Sequence, residues 1–525
     1  MEREYINNDK KNNSKFPFSE LNSDILSFHL TPLLDSEDII SLLLTCKTIH
    51  SKLDNDVVWH QLYTKSFHTF PLLTSVPINP VIENRSDSDL KNTTTVNTKN
   101  DLRNIENNRN TSHQQQSFSN WHDFYKLRKR ARFYAWGSRN NTNVLGDVEF
   151  KGKYNCKPLE SRIPLQKRLG ESISKVDAGG FSFQILTTEG KLYKTNHHTP
   201  QLICNTRYQR VKMVSSGRTN YIAVNEKNEL LVGDGMSYGG VDKLDRFDFN
   251  TNFTAQELSR LKLAKYKPER LNIYNVKAGW HKEACRTFDL PSGIIIWHSP
   301  SVSCQRNEFK CNASMIRDIE NDPILDYLLL SRCVIYITKN GSLYRVDIDQ
   351  DDYNTTEAPT PDNLHMLTHF HSYANAHRVD RFSDENPKFV RISGHFHNFA
   401  VVTDDGQLLL GQIESDVPTI IDELQPASLN ASDDGRHHGI VSVAVGNEHY
   451  LALNDKGEVY SWGVETEYNG GCGLGTPDEV IGKGWGHGIR HLEIPKPHKV
   501  EFGDGMIALD VCACGYQSGA LLSRL

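Results

Sequence analysis

The stretch YSWGVETEYNGGCGLG, residues 460–475, ends in six residues of which four are glycine. A glycine-rich loop cradles phosphate when a strand leads into it and a helix leaves it, so that backbone N–H groups converge on the anion. YSW reads as the strand. The continuation TPDEVIGKGWGHG carries Pro477 and four more glycines. It reads as non-helical and lacks Gly-Lys-Ser/Thr, so the phosphate reading is rejected. Cys512 and Cys514, the closest cysteines, alternate along the predicted strand DVCACG. A zinc site needs two further ligands at matching spacing, and His197–His198 and His437–His438 sit in polar loops without it. Ser, His and Asp are plentiful, but none lies in a recognisable nucleophile elbow. The sequence therefore predicts no metal, no cofactor and no catalytic residues of the chain's own.

Bulk properties narrow the field further. The chain has 525 residues, too many for one core, which predicts two or three domains. A net charge of −6 gives no basic excess for nucleic acid. The N-terminus MEREYINNDKKNNSK has no apolar signal region, and no apolar run approaches the length of a membrane helix. Ten cysteines without disulfide-framework spacing read as reduced thiols, placing the chain in the cytoplasm or nucleus.

The elements around the glycine-rich stretch explain it better than chemistry does. FYAWGSRNNTNVLG, residues 133–146, repeats the aromatic–small–Trp–Gly start and the Leu-Gly end, pairing Trp136–Gly137 and Leu145–Gly146 with Trp462–Gly463 and Leu474–Gly475. Between them one unit recurs: an apolar alternation, a glycine, a second alternation, a turn, a third strand. It begins at 175, 212, 275, 389, 441 and 509, anchored by Gly179, Gly217, Gly279, Gly394, Gly446 and Gly515. A degenerate copy at 327–346 has Leu330-Ser331-Arg332 in place of the glycine. Glu189-Gly190, Asp405-Gly406 and Lys456-Gly457 fit hairpin turns. A small sheet with two apolar faces cannot bury both alone, so the seven units must stack radially. The fold class is therefore mainly β: a seven-bladed β-propeller over 132–525, preceded by a small α-helical domain. The final copy lacks its Tyr-x-Trp-Gly strand, and FYAWG at 133–137 supplies it, closing the ring.

Ahead of the propeller, residues 1–15 read as a disordered tail, 16–70 as a helical domain, 71–118 as an Asn-rich disordered linker or insertion, and 119–131 as a helix returning to the helical block. Ser36 caps a helix whose apolar residues fall at 39, 42, 43, 46, 49 and 53, and Trp59 anchors a third helix after Asn55-Asp56. In the returning helix, Trp121, Phe124, Tyr125 and Arg128 share a face. The basic run Lys126–Arg132 reads either as a solvated helix face or as a nuclear-localisation patch.

The helical block resembles the F-box. Leu21, Asp24-Ile25-Leu26, Leu33-Leu34, Asp38-Ile39, Cys46-Lys47 and Trp59 fall where that family has its motif, although Asn22 stands where the family has proline. The resemblance implies binding of a Skp adaptor through Leu21, Ile25, Leu26, Leu33 and Ile39, with internal packing of the helices as the alternative role for each. The propeller resembles the repeats of the regulator of chromosome condensation, on Trp-Gly…Gly-x-Leu-Gly at 462–475, on Trp136-Gly137…Leu145-Gly146, and on Gly446 with His449 and Gly394 with His397. An F-box followed by a propeller resembles the substrate receptors of Skp–cullin–F-box ubiquitin ligases, in the domain order of the fungal SCF-associated factors. That implies the adaptor, the cullin scaffold and a protein substrate as partners, with no nucleic acid and no membrane. The alternative is a guanine-nucleotide exchange factor for a small GTPase, by analogy with the propeller's namesake. The two residues after each anchor should emerge at one rim, which offers Arg218, Trp280, His281, His395 and Tyr516 as target-binding residues. His397 and His449 are assigned to blade packing.

Overall fold

A computed structural model describes residues 22–34, 36–67, 120–138, 154–165, 171–196, 199–204, 210–235, 245–247, 273–287, 293–298, 313–319, 321–348, 370–372, 388–413, 419–421, 424, 439–488 and 490–525. Leu21, the tail at 1–15, the segment at 71–118 and both histidine pairs lie outside these residues.

The helical block opens with a wide helical turn, Ile25–Leu30, and a short tight turn, Thr31–Leu33, where Pro32 interrupts the chain. Three helices follow: α1 (Ser36–Thr45), α2 (Lys47–Leu53) and α3 (Asp56–Phe67). The apolar stripe from Ile39 to Leu53 reads as one helix, but the structure breaks it at Cys46, whose backbone is extended (φ −159°, ψ 160°). The break reorients the second half, so that Ile39, Leu43, Ile49 and Leu53 all reach the core while Cys46 is exposed. Asn55 caps α3 by accepting from Val58 N at 3.1 Å. Helix α4 (Trp121–Lys129), capped by Asn120, packs on α3 and buries Trp121, Phe124, Tyr125 and Arg128.

The remaining chain forms seven four-stranded antiparallel sheets. Blades 1 to 6 begin with Ile173–Ala178, Val211–Ser216, Ile273–Ala278, Ile324–Leu329, Phe389–His395 and Ile440–Val445. Blade 7 is composite: Met506–Cys514 and Gln517–Arg524 pair with Arg132–Ser138 and Tyr154–Glu160. Trp136 sits opposite Ser518, and its indole N–H donates to Gly471 O at 2.9 Å. The glycine-rich loop thus fastens blade 6 to the closing strand. A Cβ on Gly473 (φ +71°) would lie 2.6 Å from the Trp136 indole nitrogen, which fixes glycine there.

The stretch after the loop departs from the sequence expectation. Pro477–Gly482 is a short helix, α5. Thr476 and Glu479 form a capping box and Pro477 occupies the first turn, where its missing N–H breaks nothing.

Every blade carries the same irregularity. The first strand skips one residue against the second, at 173/175, 211/213, 273/275, 324/326, 389/391, 440/442 and 508/510. These seven β-bulges re-aim the strand where it lines the ring's axis. They turn polar residues, including Lys175, Asn275, Asp326, Arg391 and Asp510, onto a central cavity of about 300 Å³.

Candidate partner-binding faces

The helical block plugs one end of that axial cavity. Tyr63 and Phe67 of α3 and Arg128 of α4 line it. Arg128 is 4% exposed and donates to the carbonyls of Ile173 and Ser174, each at 2.8 Å, at the start of the first inner strand. Ser174 Oγ donates back to Ser66 O at 3.1 Å, and the Arg128 guanidinium lies 4.7 Å from the Phe67 ring. Burial lowers the Arg128 pKa, while Tyr63 and Asp510 beside it oppose the fall. Arg128 is therefore part of the joint between helices and propeller. In the basic run, Lys126, Arg130 and Arg132 remain exposed.

Within the helical block the candidate adaptor residues separate. Leu26 and Ile39 are fully buried and pack internally. Ile25 (46% exposed) and Leu33 (82%) face solvent. Phe28 (56%) and Leu44 (78%) join them, so four of the eight large exposed apolar side chains among the described residues lie between 25 and 44. Sequence reasoning missed Phe28, although it follows Ile25 at helical spacing, and missed Leu44, which closes the run Leu42–Leu44. Their concentration in one short segment offers apolar surface to a partner.

The seven anchor turns form the opposite rim, at the far end of the inner strands. They are linked blade to blade in a closed belt. Gly180 N donates to Gly217 O (3.0 Å), Arg218 N to Gly279 O (3.2 Å), Ser331 N to Phe396 O (2.9 Å) and Asn447 N to Gly515 O (2.9 Å). Side chains bridge the other three joints: Lys282 Nζ to Ser331 O (3.3 Å), Asn398 Nδ2 to Asn447 O (2.8 Å) and Gln517 Nε2 to Gly179 O (2.6 Å). Leu330 makes the same turn as the glycines, its N–H donating to Cys333 O at 2.9 Å.

On this belt the structure brings two predicted residues, Arg218 and Trp280, together with Phe396. The Arg218 guanidinium lies 3.7 Å from the Trp280 ring centre, and the Phe396 ring centre lies 4.0 Å away. Both groups therefore pack against the Trp280 indole. The stack joins blades 2, 3 and 5 across the mouth. Phe396 holds φ +56°, a left-handed conformation that is strained for a phenylalanine. His281 and Tyr516 are exposed on the same belt. His395 departs from the sequence expectation as a target contact. It is 8% exposed, and its Nδ1 lies 3.2 Å from Cys514 Sγ of blade 7. Burial lowers its pKa to about 4, so the ring is neutral and faces the interior. His449 is likewise buried, 2.7 Å from Ser518 Oγ, and His397 lies 3.3 Å from Ser331 Oγ.

Comparison with known proteins follows this division. A profile of the "Regulator of chromosome condensation (RCC1) repeat" matches residues 440–473, which span the first strands of blade 6 and the glycine-rich loop. Human WBSCR16 superposes with a TM-score of 0.50 at 12% identity, over 75% of this chain and 99% of that one. Prp20p from Saccharomyces cerevisiae, crystallised in a study of its binding to Gsp1p and histones, superposes with a TM-score of 0.51 at 12% identity, over 75% of this chain and 92% of that one. One repeat thus matches the chromosome-condensation-regulator profile, and the seven-sheet propeller resembles these two structures in fold. At these identities the likeness concerns the fold. Over most of the chain the similarity is to a fungal F-box protein. The F-box protein pof9 of Schizosaccharomyces pombe is 24% identical over 97% of this chain and 90% of its own length. SCF-associated factor 1 of Saccharomyces cerevisiae is 24% identical over 59% of this chain and 42% of its own length. Among the described residues no helix is long and apolar enough to cross a membrane.

Proposed function

We propose that this chain is the substrate-recognition subunit of a Skp–cullin–F-box ubiquitin ligase. The helical block binds the Skp adaptor, which joins it to the cullin scaffold. The anchor-turn rim of the propeller binds a protein target for ubiquitination and proteasomal degradation. The observation that carries this reading is the concentration of exposed apolar side chains, Ile25, Phe28, Leu33 and Leu44, on the block that resembles the F-box. Similarity to F-box proteins over most of the chain supports it. The work is positioning. Two binding faces at opposite ends of the axis, joined by buried contacts, raise the effective concentration of a target lysine near the conjugating enzyme. The exchange-factor alternative rests on fold likeness alone.

The test is Phe28→Asp with Leu44→Asp in the full chain. Both side chains are exposed in the free protein, so circular dichroism should be unchanged while capture of the Skp adaptor is lost. Capture at the wild-type level by the folded double variant refutes the adaptor assignment. Leu26→Asp or Ile39→Asp is unsuitable for this purpose, because each puts a charge into the core of the block.

A further inference from the structure

We infer that Arg218 is an anion receptor, and that the segment read by the anchor-turn rim presents an acidic or phosphorylated side chain beside an apolar one. This rests on the proposal that the rim binds a protein target. Three observations meet here. First, Arg218 is preorganised: its guanidinium lies on the Trp280 ring, and Phe396 packs against the same indole. Second, among the described residues no side-chain hydrogen bond or ion pair involves this guanidinium, so its fork of N–H donors is available at its edge. Stacking leaves that edge open because it engages only the flat face. Third, the axis beneath carries a positive excess in a chain of net charge −6. Lys175, Lys212, Lys277 and Arg391, with Arg128 from the plug, outnumber Asp177, Asp326 and Asp510 around the cavity.

Two of those carboxylates are already matched, Asp177 by Lys175 at 3.7 Å and Asp326 by Lys277 at 3.4 Å. The remaining cations give the axial cavity beneath the rim a positive potential. On the rim itself the charge is divided. Arg218 and the exposed Arg332 lie on blades 2 and 4, and the exposed Glu448 lies on blade 6. A carboxylate or phosphate arriving at the blade 2 side meets a planar donor fork. An apolar neighbour in the same segment meets the edges of Trp280 and Phe396. A purely apolar segment would leave the fork unmatched, and a basic one would meet like charge.

The test uses the full-length protein and three blocked tripeptides: phenylalanine–aspartate–phenylalanine, the phosphoserine counterpart, and the neutral asparagine counterpart. Binding is read by NMR at the arginine side-chain N–H and the indole N–H resonances, with Arg218→Gln and Trp280→Phe providing the assignments. The aspartate or phosphoserine peptide should shift both resonances saturably, and the asparagine peptide should bind about tenfold more weakly or worse. Arg218→Gln should remove the difference among the three. Arg218→Lys keeps the charge but loses the fork, and should recover it only in part. The two anionic peptides show which anion is preferred. Equal binding of charged and neutral peptides overturns the inference, as does equal binding by wild type and Arg218→Gln. Absence of saturable binding by both anionic peptides up to roughly 10 mM overturns it as well. The rim reading fails separately. Alanine at Trp280, His281 and Tyr516 should stabilise the target in cells whatever Arg218 does, and normal turnover there places the target elsewhere.

Discussion

Glu465 is 2% exposed in the strand that leads into the glycine-rich loop, and its Oε1 accepts from Cys472 N at 2.8 Å. Among the described residues its Oε2 has no hydrogen-bond partner. Burial raises its pKa to about 7, although the loop amides oppose the rise. The folded protein therefore holds a proton that the unfolded chain releases between the ordinary carboxylate range and about pH 7. Stability from this group is fully present at low pH and is lost as pH rises through that window, on the order of 3 kcal/mol at pH 8. His395 and His449, each lowered to about 4 by burial, act in the opposite sense, since stability falls as pH drops from the ordinary imidazole range toward 4. Glu465→Gln mimics the protonated acid. Thermal melts should show it several degrees more stable than wild type at pH 8, with the gap closing near pH 5. A gap independent of pH would mean that the carboxylate is not the group responsible. None of this is legible in the sequence. ETEYNGG looks like a solvated turn, and only folding reveals that one of its two glutamates points inward. That Arg218 and Trp280 both sit on the anchor turns was legible, because both follow an anchor, but their stacking was not. The burial of His395 was not, because its partner Cys514 lies two blades away around the ring.

At the scale of elements, the joint between α4 and the first inner strand decides whether the two faces move together. Arg128 satisfies two carbonyls that the plug removes from water. Arg128→Leu keeps most of the side-chain volume but orphans both acceptors, a cost of about 2–4 kcal/mol. The expected outcome is local. Amide exchange should quicken in 121–131 and 173–176 while the outer strands of the blades stay protected. Uniform acceleration across all blades would make Arg128 a determinant of the whole fold instead. The returning helix was readable from the spacing of Trp121, Phe124, Tyr125 and Arg128, and its docking end was readable from no local pattern. The β-bulges were equally hidden. An alternation with one skipped residue still reads as an alternation, so the charged lining of the axis could not be assigned. Helix α5 was hidden by a misread proline: at the first turn it starts a helix, and the Thr476–Glu479 spacing was the signal that outweighed the glycines after it.

At the scale of the whole molecule, the ring is held by a strand from its far end. Arg132–Ser138 pairs with Gln517–Arg524 along six registered positions, Arg132 opposite Leu522 through Gly137 opposite Gln517. Its other edge carries Tyr154–Glu160. This closure was the most legible feature of the sequence, because a propeller of identical units advertises the strand it is missing. Removing 132–138 uncovers the edge of Gln517–Arg524, orphans the strand at 154–160 and withdraws Trp136, which is fully buried and bonded to the glycine-rich loop. The damage should not stay in one blade. Blade 7 supports blade 1 through Gln517 and through the Phe133–Phe183 contact at 5.0 Å, and supports blade 6 through Gly515. An open ring also loses the restraint on the long loop that closure imposes. The deletion protein should melt at least about 10 °C lower than wild type, given that a few kcal/mol moves a domain of this size by several degrees. It should also self-associate with rising concentration, since an unpaired edge strand accepts another chain. Calorimetry and sedimentation measure the two effects independently. A deletion protein that keeps its melting temperature and remains monomeric would show that the ring closes without this strand.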